Sequence, residues 1–328
     1  MKVGIISFAH MHAHAYTEAL KHIPDVELSI ISDENEERGM IASDKFDVPY
    51  VSDYHDLLDT DVDAVIVCAE NAQHARIVVA AAQAKKHVLC EKPIATTVED
   101  AVRMVEACEE HGTILQIAFP VRFQPSIRRV KALIDEGKLG RILAIRGTNR
   151  GQNPGGWFVD PELSGGGAVM DHTVHVIDLM RWFTGSEVRE VYAEIDTHFN
   201  QDLRVDDCGL LVFDFENGVV ASHDPSWSRC KTYPTWGDVT LEVIGTDGVV
   251  EVDAFAQAMT LHSDTLGHAT YQNWGDDMDQ LLVADFVHSV RAKQDASVTG
   301  EDGLRALEVA LAAYRSADTK SPVKLARR

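Results

Sequence analysis

The sequence predicts an α/β protein in two parts: an N-terminal doubly wound parallel sheet, then an α+β domain with an open, largely antiparallel sheet. Short apolar runs alternate with helical patterns along the first third of the chain, which is typical of parallel sheets with right-handed crossovers. Further along, Asn217-Gly218 and Asp247-Gly248 separate alternating runs and indicate hairpins. Because 328 residues exceed what one core usually covers, we expect two domains, 1–119 and 120–328.

Apolar runs in the first part predict five strands. They cover residues 2–8, 26–32, 64–68, 87–90 and 114–118. Helical patterns lie between them at 14–21, 34–42, 53–58, 73–85 and 98–111, and Thr96 or Thr97 can cap the last of these. Ligands of such sheets bind beyond the carboxyl ends of the strands, so the residues that follow each strand are candidates for the functional site.

The second part begins with a helix at 125–136 and continues mainly as strands. These strands are predicted at 141–146, 188–199, 209–215, 219–223, 239–244 and 249–252. A run of three glycines at 165–167 precedes an apolar-periodic stretch, which predicts a helix up to residue 183 on one face of this sheet. Two closing helices are predicted at 277–292 and 303–316.

Three polar side chains share one face of the helix that follows the glycines. Asp171 and His175 are four residues apart, and Asp178 is three further on. A carboxylate beside an imidazole is a workable proton-transfer pair, because the anion favours the imidazolium and orients the ring. The alternative is a buried hydrogen bond between the two that only stabilises the helix.

The residues after the first strand stand where the three glycines of a dinucleotide fingerprint would lie. The chain has there Ser7, Phe8, Ala9, His10, Met11 and His12. Small residues thus occupy the first two glycine positions, and a histidine occupies the third. Asp33, which ends the second strand, can accept hydrogen bonds from a ribose diol and repel a 2′-phosphate. This carboxylate favours NAD over NADP.

A lysine follows the fourth predicted strand, in the sequence Glu91-Lys92-Pro93. The chain combines this motif with the glycine run and the Asp171-x-x-x-His175-x-x-Asp178 pattern. In this combination it resembles the glucose-fructose oxidoreductase, inositol dehydrogenase and rhizopine catabolism (Gfo/Idh/MocA) family. The resemblance covers essentially the whole chain, since 69–74, 122–125 and 300–306 also resemble landmarks of that family. It implies a Rossmann-type first domain, an NAD(P)-dependent oxidoreductase, and a homodimer or homotetramer formed through the free face of the second sheet.

The same resemblance implies roles for individual residues. Lys92 matches an active-site lysine that contacts the reacting hydroxyl, Asp171 a substrate-binding aspartate, and His175 the general acid or base. We expect the cofactor to contact Ser7, Phe8, Ala9, His10, Met11, Asp33, Ala69, Glu70, Asn71, His74, Glu91 and Lys92. The chain departs from the family in lacking the later glycines of the first loop, and Glu70 replaces a usual proline.

The loop at 149–158 is rich in groups that suit a polyol. Trp157 can act as a stacking platform, and Asn153 can act as a hydrogen-bond partner. Arg122 and His172 complete the predicted substrate contacts. Loop residues are as often merely exposed, which is the alternative for each residue of this loop.

The expected reaction is oxidation of a secondary carbinol of a sugar, inositol or related polyol. His175 takes the hydroxyl proton with help from Lys92, while hydride passes to NAD. Three alternatives stay open: redox-neutral glycoside cleavage with a retained NAD, a metal-dependent hydrolase built on His10 and His12, and a non-catalytic sugar sensor. A sensor would not need Lys92 and His175 together, and the hydrolase lacks a second matched cluster, so we expect no metal and favour the dehydrogenase.

Composition restricts the partners and the compartment. A formal net charge of −22 argues against binding nucleic acid or an acidic membrane surface, because both would repel this protein. The five cysteines are widely spaced and include no C-x-x-C pair, which predicts reduced thiols in a cytoplasmic protein. We recognise no secretory signal, and no apolar run approaches the ~20 residues of a membrane span.

Overall fold

The computed structural model describes residues 1–265, 267–273, 275 and 277–326. The chain forms two compact units, and each is discontinuous in sequence. Unit 1 consists of Met1–Pro120, Gly156–Gly166 and Asp279–Glu308. Unit 2 consists of the described residues of Val121–Gly155, Gly167–Met278 and Val309–Arg328. The chain therefore enters unit 1 three times.

Unit 1 is built on a six-stranded sheet with the order β3-β2-β1-β4-β5-β6. The strands are β1 (Lys2–Ile6), β2 (Glu27–Ser32), β3 (Tyr50–Val51), β4 (Ala64–Val67), β5 (His87–Cys90) and β6 (Leu115–Ile117). Every neighbouring pair is parallel, so the predicted doubly wound sheet is confirmed. The strand β3 is not predicted from the sequence, because two residues are too few for an apolar run to show.

The helices follow the predicted pattern, except that the short α7 is not predicted from the sequence. They are α1 (His12–Lys21), α2 (Glu36–Phe46), α3 (Tyr54–Leu58), α4 (His74–Gln83), α5 (Val98–His111), α6 (Pro125–Asp135), α7 (Pro161–Ser164), α8 (Ala168–Thr184), α9 (Met278–Ala292) and α10 (Gly300–Thr319). Of the two threonines that could cap α5, Thr97 does so, since its hydroxyl accepts the N–H of Asp100 at 3.2 Å. No helix in the described part of the chain is both long and apolar enough to cross a bilayer.

Unit 2 is built on a seven-stranded sheet with the order β12-β11-β7-β10-β9-β8-β15. Its strands are β7 (Ile142–Thr148), β8 (Val188–Asp196), β9 (Cys208–Phe215), β10 (Val220–Asp224), β11 (Thr240–Gly245), β12 (Val249–Asp253) and β15 (Val323–Lys324). Only β7 and β10 pair in parallel, so the predicted largely antiparallel sheet is confirmed. A separate hairpin, β13 (Ala258–Ser263) and β14 (His268–Asn273), is not predicted from the sequence.

The buried helix α8 packs on the inner face of the unit 2 sheet. Gly147 of β7 makes room for it, because a Cβ at that position would lie 2.8 Å from Val176 and 2.9 Å from Met180. The opposite face of the sheet carries exposed apolar side chains on β9 and β10. These are Leu210, Val212 and Val220.

Candidate functional site

The loop after β1 is held by both neighbouring strands of the unit 1 sheet. Ser7 donates its backbone N–H to the carbonyl of Ser32 on β2 at 2.7 Å, and His10 donates its own to the carbonyl of Cys68 after β4 at 2.9 Å. Ser7 has a φ of 70°, in the left-handed region that glycine adopts most easily. A serine at the first glycine position of the fingerprint thus keeps the backbone conformation of a glycine.

Asp33, at the end of β2, accepts four hydrogen bonds from the protein. Its Oδ2 accepts the backbone N–H of Phe8 at 2.8 Å and Nε–H of Arg38 at 2.7 Å. Its Oδ1 accepts the backbone N–H of Asn35 at 2.9 Å and Nη2–H of Arg38 at 2.8 Å. The carboxylate that we expect to bind a ribose is therefore paired with Arg38, a residue not predicted from the sequence.

A cavity of about 290 Å³ opens beside this pair. The residues lining it include Ser7, Asp33, Arg38, Tyr54, Glu70 and Arg76. The cavity lies at the carboxyl ends of β1, β2 and β4, where the adenosine ribose of a dinucleotide binds in doubly wound sheets. No acidic residue lies in the first turn of α1. A pyrophosphate bound at the backbone N–H groups of that turn would therefore not be repelled by a negative side chain there. These features fit a dinucleotide.

The segment after β4 holds further predicted cofactor residues. The imidazole of His74 lies between the carbonyl oxygens of Ala69 at 3.1 Å and Pro93 at 3.0 Å, and its burial lowers its pKa. Asn71 donates its side-chain amide to the carbonyl of Ser164 at 2.8 Å. The other amide atom, Asn71 Oδ1, is buried and has no hydrogen-bond partner among the described residues. A buried acceptor of this kind suits a ligand donor such as a carboxamide.

Glu91 and two histidines of the first loop form a cluster inside unit 1. Nδ1 of His12 lies 2.9 Å from Oε1 of Glu91, and Nδ1 of His10 lies 3.7 Å from the same oxygen. Burial opposes protonation of His12, but the adjacent carboxylate outweighs it, so the pKa of His12 lies above its usual value. Burial alone would raise the pKa of Glu91, yet the two histidines hold it well below its usual range.

The same three residues could also hold a metal ion, since their ligand atoms all lie within 4.8 Å of one another. The third member is Glu91, which the sequence assigns to the cofactor. The 2.9 Å separation of His12 and Glu91 is that of a direct hydrogen bond. The contacts in this structure are thus those of a hydrogen-bonded carboxylate–histidine network.

Trp157 contacts the first loop. Its indole N–H donates to the carbonyl of Ala9 at 3.0 Å, and its ring stacks on Phe158 with centroids 3.9 Å apart. All three residues belong to unit 1. Asn153, from the same predicted substrate loop, belongs to unit 2 and accepts the N–H of Gly155 at 2.8 Å. Contact of either side chain with substrate stays a prediction.

On α8, Asp171 and His172 are joined by a network inside unit 2. Oδ2 of Asp171 accepts the indole N–H of Trp227 at 3.2 Å and lies 3.2 Å from Nε2 of His172. Nδ1 of His172 lies 2.8 Å from the carbonyl oxygen of Pro225. Because that oxygen can only accept, this hydrogen bond requires a proton on Nδ1. His175, one turn further on, is also buried.

The third polar residue of the α8 face, Asp178, is paired with Arg122. Nε of Arg122 donates to Oδ2 of Asp178 at 2.8 Å, Nη2 donates to Oδ1, and the guanidinium lies over the ring of Trp182. Both ends of this ion pair are buried. The substrate contact predicted for Arg122 stays a prediction, and the observed bond is to Asp178.

Two residues that are not predicted from the sequence hold the start of α8. Asp206 accepts the N–H of Gly167 at 2.9 Å and of Val169 at 2.8 Å, and the hydroxyl of Tyr314 donates to it at 2.7 Å. Burial raises the pKa of Asp206 despite these bonds. A Cβ on Gly167 would lie 1.9 Å from the carbonyl oxygen of Asp206, which explains the glycine.

The predicted catalytic residues are divided between the units. Lys92 lies in unit 1, two residues after the end of β5, and is 4% exposed. Asp171 and His175 lie in unit 2. Their joint action on one substrate stays a prediction.

Two family models match the chain. Residues 1–119 match the oxidoreductase family with an NAD-binding Rossmann fold, and residues 127–251 match the GFO/IDH/MocA C-terminal domain. A myo-inositol 2-dehydrogenase of Thermotoga maritima is 31% identical over 99% of this chain and 98% of its own length. A D-xylose 1-dehydrogenase [NADP(+)] of Haloarcula marismortui is 31% identical over 90% of this chain and 85% of its own length.

Solved structures agree. A levoglucosan dehydrogenase in complex with NADH and levoglucosan has a TM-score of 0.86 and 26% identity, with 100% of both chains covered. The expectation of an NAD(P)-dependent dehydrogenase acting on CH–OH groups is thus confirmed at the level of the family. The two family models together span more than half of the sequence, and from them we conclude that this chain belongs to the GFO/IDH/MocA oxidoreductase family.

Proposed function

We propose that this protein is an NAD-dependent dehydrogenase that oxidises a secondary carbinol of a sugar, inositol or related polyol, or reduces the corresponding ketone. The observation that carries the proposal is Lys92, an ammonium group buried at the carboxyl end of a strand in the NAD-binding unit. An ammonium group in this position can stabilise an oxygen on which negative charge develops during the reaction. The relatives named for myo-inositol, D-xylose and levoglucosan support a substrate of this class.

The residues present suit each part of the reaction. NAD supplies the hydride acceptor when bound, and Asp33 with the first turn of α1 would hold its ribose and pyrophosphate. His175 takes the proton from the substrate hydroxyl, and Lys92 stabilises the charge left on that oxygen. Asp171 orients the substrate, and Trp227 and His172 hold the carboxylate of Asp171 in position.

Titration of the purified full-length protein tests the proposal. Native mass spectrometry and calorimetry with NAD should show about one nucleotide per chain, at a micromolar Kd typical of such enzymes. A panel containing myo-inositol, D-xylose and levoglucosan, scored by NADH formation, then identifies the substrate. A protein that binds no nicotinamide dinucleotide and carries one divalent ion per chain would refute the proposal in favour of the His10, His12 and Glu91 cluster.

The other functions considered for this chain are less well supported. Neither the family models nor the relatives favour glycoside cleavage, metal-dependent hydrolysis or sugar sensing. We also propose a cytoplasmic homodimer or homotetramer, formed through the outer face of the unit 2 sheet. The exposed side chains of Leu210, Val212 and Val220 on that face support an apolar contact.

A further inference from the structure

His12 occupies the third glycine position of the dinucleotide fingerprint, and the proposed mechanism gives it no task. A glycine at that position serves the close packing of helix and strand. His12 is instead the first residue of α1, and its Nδ1 lies 2.9 Å from Oε1 of Glu91, the residue that follows β5. A hydrogen bond across unit 1 thus takes the place of a bare backbone contact.

The carboxylate of Glu91 connects His12 with the lysine of the proposed mechanism. Its Oε2 accepts the backbone N–H of Lys92 at 3.1 Å, while its Oε1 faces His12. The backbone of Glu91 is held by the sheet, since its N–H donates to the carbonyl of Val67 at 2.9 Å. One side chain therefore links the first turn of α1 to the peptide of Lys92.

The bond between His12 and Glu91 lies where water has little access. The Glu91 side chain is fully buried, and that of His12 is only partly exposed. Burial by itself would raise the pKa of Glu91, yet the basic groups around it hold that pKa well below its usual range. A buried carboxylate that lost a donor would have to take up a proton or turn away. Either change alters the acceptor of the Lys92 N–H.

Neighbouring groups restrain the ring of His12 and make it the donor to Glu91. The hydroxyl of the buried Tyr16 lies 3.3 Å from Nδ1 of His12, and the His10 and His12 ring centroids are 4.4 Å apart. The backbone N–H of His12 donates to Nδ1 of His10 at 3.2 Å, so that nitrogen of His10 acts as an acceptor. A group held on several sides in this way can hold another group in turn.

We propose that His12 is a positioning residue, whose hydrogen bond to Glu91 fixes the backbone of Lys92 so that the ammonium group meets the reacting oxygen. His12 acts through Glu91 and needs no contact with the substrate. A glycine, which the fingerprint has at this position, could not do this. The inference rests on the proposed function, because it concerns how Lys92 of that same site is held.

Steady-state kinetics of the full-length protein at saturating NAD, with calorimetry of NADH binding, tests this inference. The substrate is whichever of myo-inositol, D-xylose and levoglucosan gives the most NADH. His12→Leu removes the ring nitrogen, so kcat should fall by about tenfold or more, as a small misplacement of a reacting group causes. The Kd for NADH should change by less than about threefold, because the lost bond is to Glu91.

His12→Asn is the conservative variant. Its amide nitrogen is bonded to Cγ, as Nδ1 is in histidine, so it can donate to Glu91 from nearly the same place, and kcat should stay within about threefold of the wild type. His12→Gln carries its amide one bond further out and should be as slow as His12→Leu. The Asn and Gln variants keep the test decisive if the leucine variant does not fold. His22→Leu, at an exposed histidine that caps the other end of α1, is the matched control and should change neither quantity.

A double-mutant cycle separates the positioning of Lys92 from general support of the fold. In the Lys92→Ala background no ammonium group is left to position, so His12→Leu should lower kcat there by less than about twofold. Equal losses in both backgrounds would overturn the inference, and so would an asparagine variant as slow as the leucine variant. A Kd for NADH that rises in step with the loss of kcat would overturn it too, since His12 would then serve the cofactor loop.

The outcomes also distinguish this inference from the proposed function. A wild type that binds no dinucleotide and oxidises none of the polyols refutes the proposed function, and the inference with it. A wild type that oxidises a polyol, while His12→Leu keeps its full kcat, refutes the inference alone. Loss of wild-type turnover in EDTA would also refute it, because a metal ion would then hold the three groups together. Recovery in His12→Asn, with no further loss in the Lys92→Ala background, supports it.

Discussion

One of the hydrogen bonds that hold the loop after β1 runs from the indole N–H of Trp157 to the carbonyl of Ala9. Trp157→Phe keeps the stacking on Phe158 and removes only this bond. A neutral hydrogen bond contributes about 1 kcal/mol, so we expect the Kd for NADH to rise roughly fivefold, measured by calorimetry. Trp236→Phe, at a ring 45% exposed in unit 2, is the control. Equal effects of the two substitutions would contradict this role of Trp157.

Lys92 has a different expected signature, because its proposed work is done on the reacting oxygen. Lys92→Ala should reduce turnover of the best substrate about 100-fold or more, with the Kd for NADH nearly unchanged. Steady-state kinetics and calorimetry measure the two quantities separately. Lys138→Ala, at an exposed lysine, should change neither. Unchanged turnover in Lys92→Ala would remove this residue from the mechanism.

His223, on β10, makes stability depend on pH. It is 1% exposed, and burial lowers its pKa to about 3. The unfolded chain takes up a proton near pH 6.5 while the folded protein keeps this imidazole neutral. The contribution of neutral His223 to the free energy of unfolding is therefore complete above pH 6.5 and decreases as the pH falls toward 3.

Between pH 7.5 and 4.5 this titration should cost on the order of 2 kcal/mol of unfolding free energy. Urea unfolding at the two pH values measures the loss. Between these pH values, the loss of unfolding free energy in His223→Gln should be smaller than in the wild type by about that amount. The control His198→Gln, at an exposed histidine, should lose as much as the wild type. The same loss in His223→Gln as in the wild type would show that other groups carry the effect.

Among the elements, α8 depends on partners far away in sequence for its first turn. The hydroxyl of Tyr314 accepts the N–H groups of Gly167 and Met170 at 3.1 Å each and donates to Asp206. Tyr314→Phe removes the acceptor of the Met170 N–H and a donor to Asp206, whereas Gly167 keeps its bond to Asp206. We therefore expect a loss of about 1–3 kcal/mol in unfolding free energy by urea titration. Tyr192→Phe removes only a surface hydrogen bond to Glu194 and should cost far less. Similar costs for both would mean that solvent replaces the tyrosine on α8.

Elements with a pattern along their own residues could be predicted from the sequence. The apolar runs of β1 and β5 and the periodic stripe of α8 each bury a continuous surface. The two-residue strands β3 and β15 have no such pattern, because their pairing depends on the neighbouring strand alone. Local propensity therefore cannot indicate them.

The same distinction applies to the candidate site. Lys92 and the Asp171–His175 pair are found because their motifs are contiguous or one helical turn apart. The bond from Trp157 to Ala9 joins residues 148 positions apart, and Tyr314 reaches Asp206 across 108. Tertiary packing brings these partners together, and a single sequence taken alone does not reveal that packing.

At the scale of the whole molecule, the division of unit 1 along the chain predicts how a fragment behaves. In Met1–Pro120 alone, the segments Gly156–Gly166 and Asp279–Glu308 of the same unit are missing. Val298 then no longer accepts the N–H of Ile117, and the side of β6 that faces Gly300 and Gly303 is uncovered. We expect this fragment to show no cooperative thermal unfolding by calorimetry, whereas the full chain does. A sharp transition in the fragment would show that the later segments are dispensable.

The discontinuity of unit 1 also sets the order of events during synthesis. A ribosome completes all six strands of the nucleotide-binding sheet by Ile117, whereas Asp279–Glu308 of the same unit is made only later. The β6 side of the nascent sheet therefore stays uncovered while the first two segments of unit 2, Val121–Gly155 and Gly167–Met278, are translated. Exposed apolar surface is a binding site for chaperones, so this protein should engage them once β6 has emerged and release them only after Asp279–Glu308 has been made.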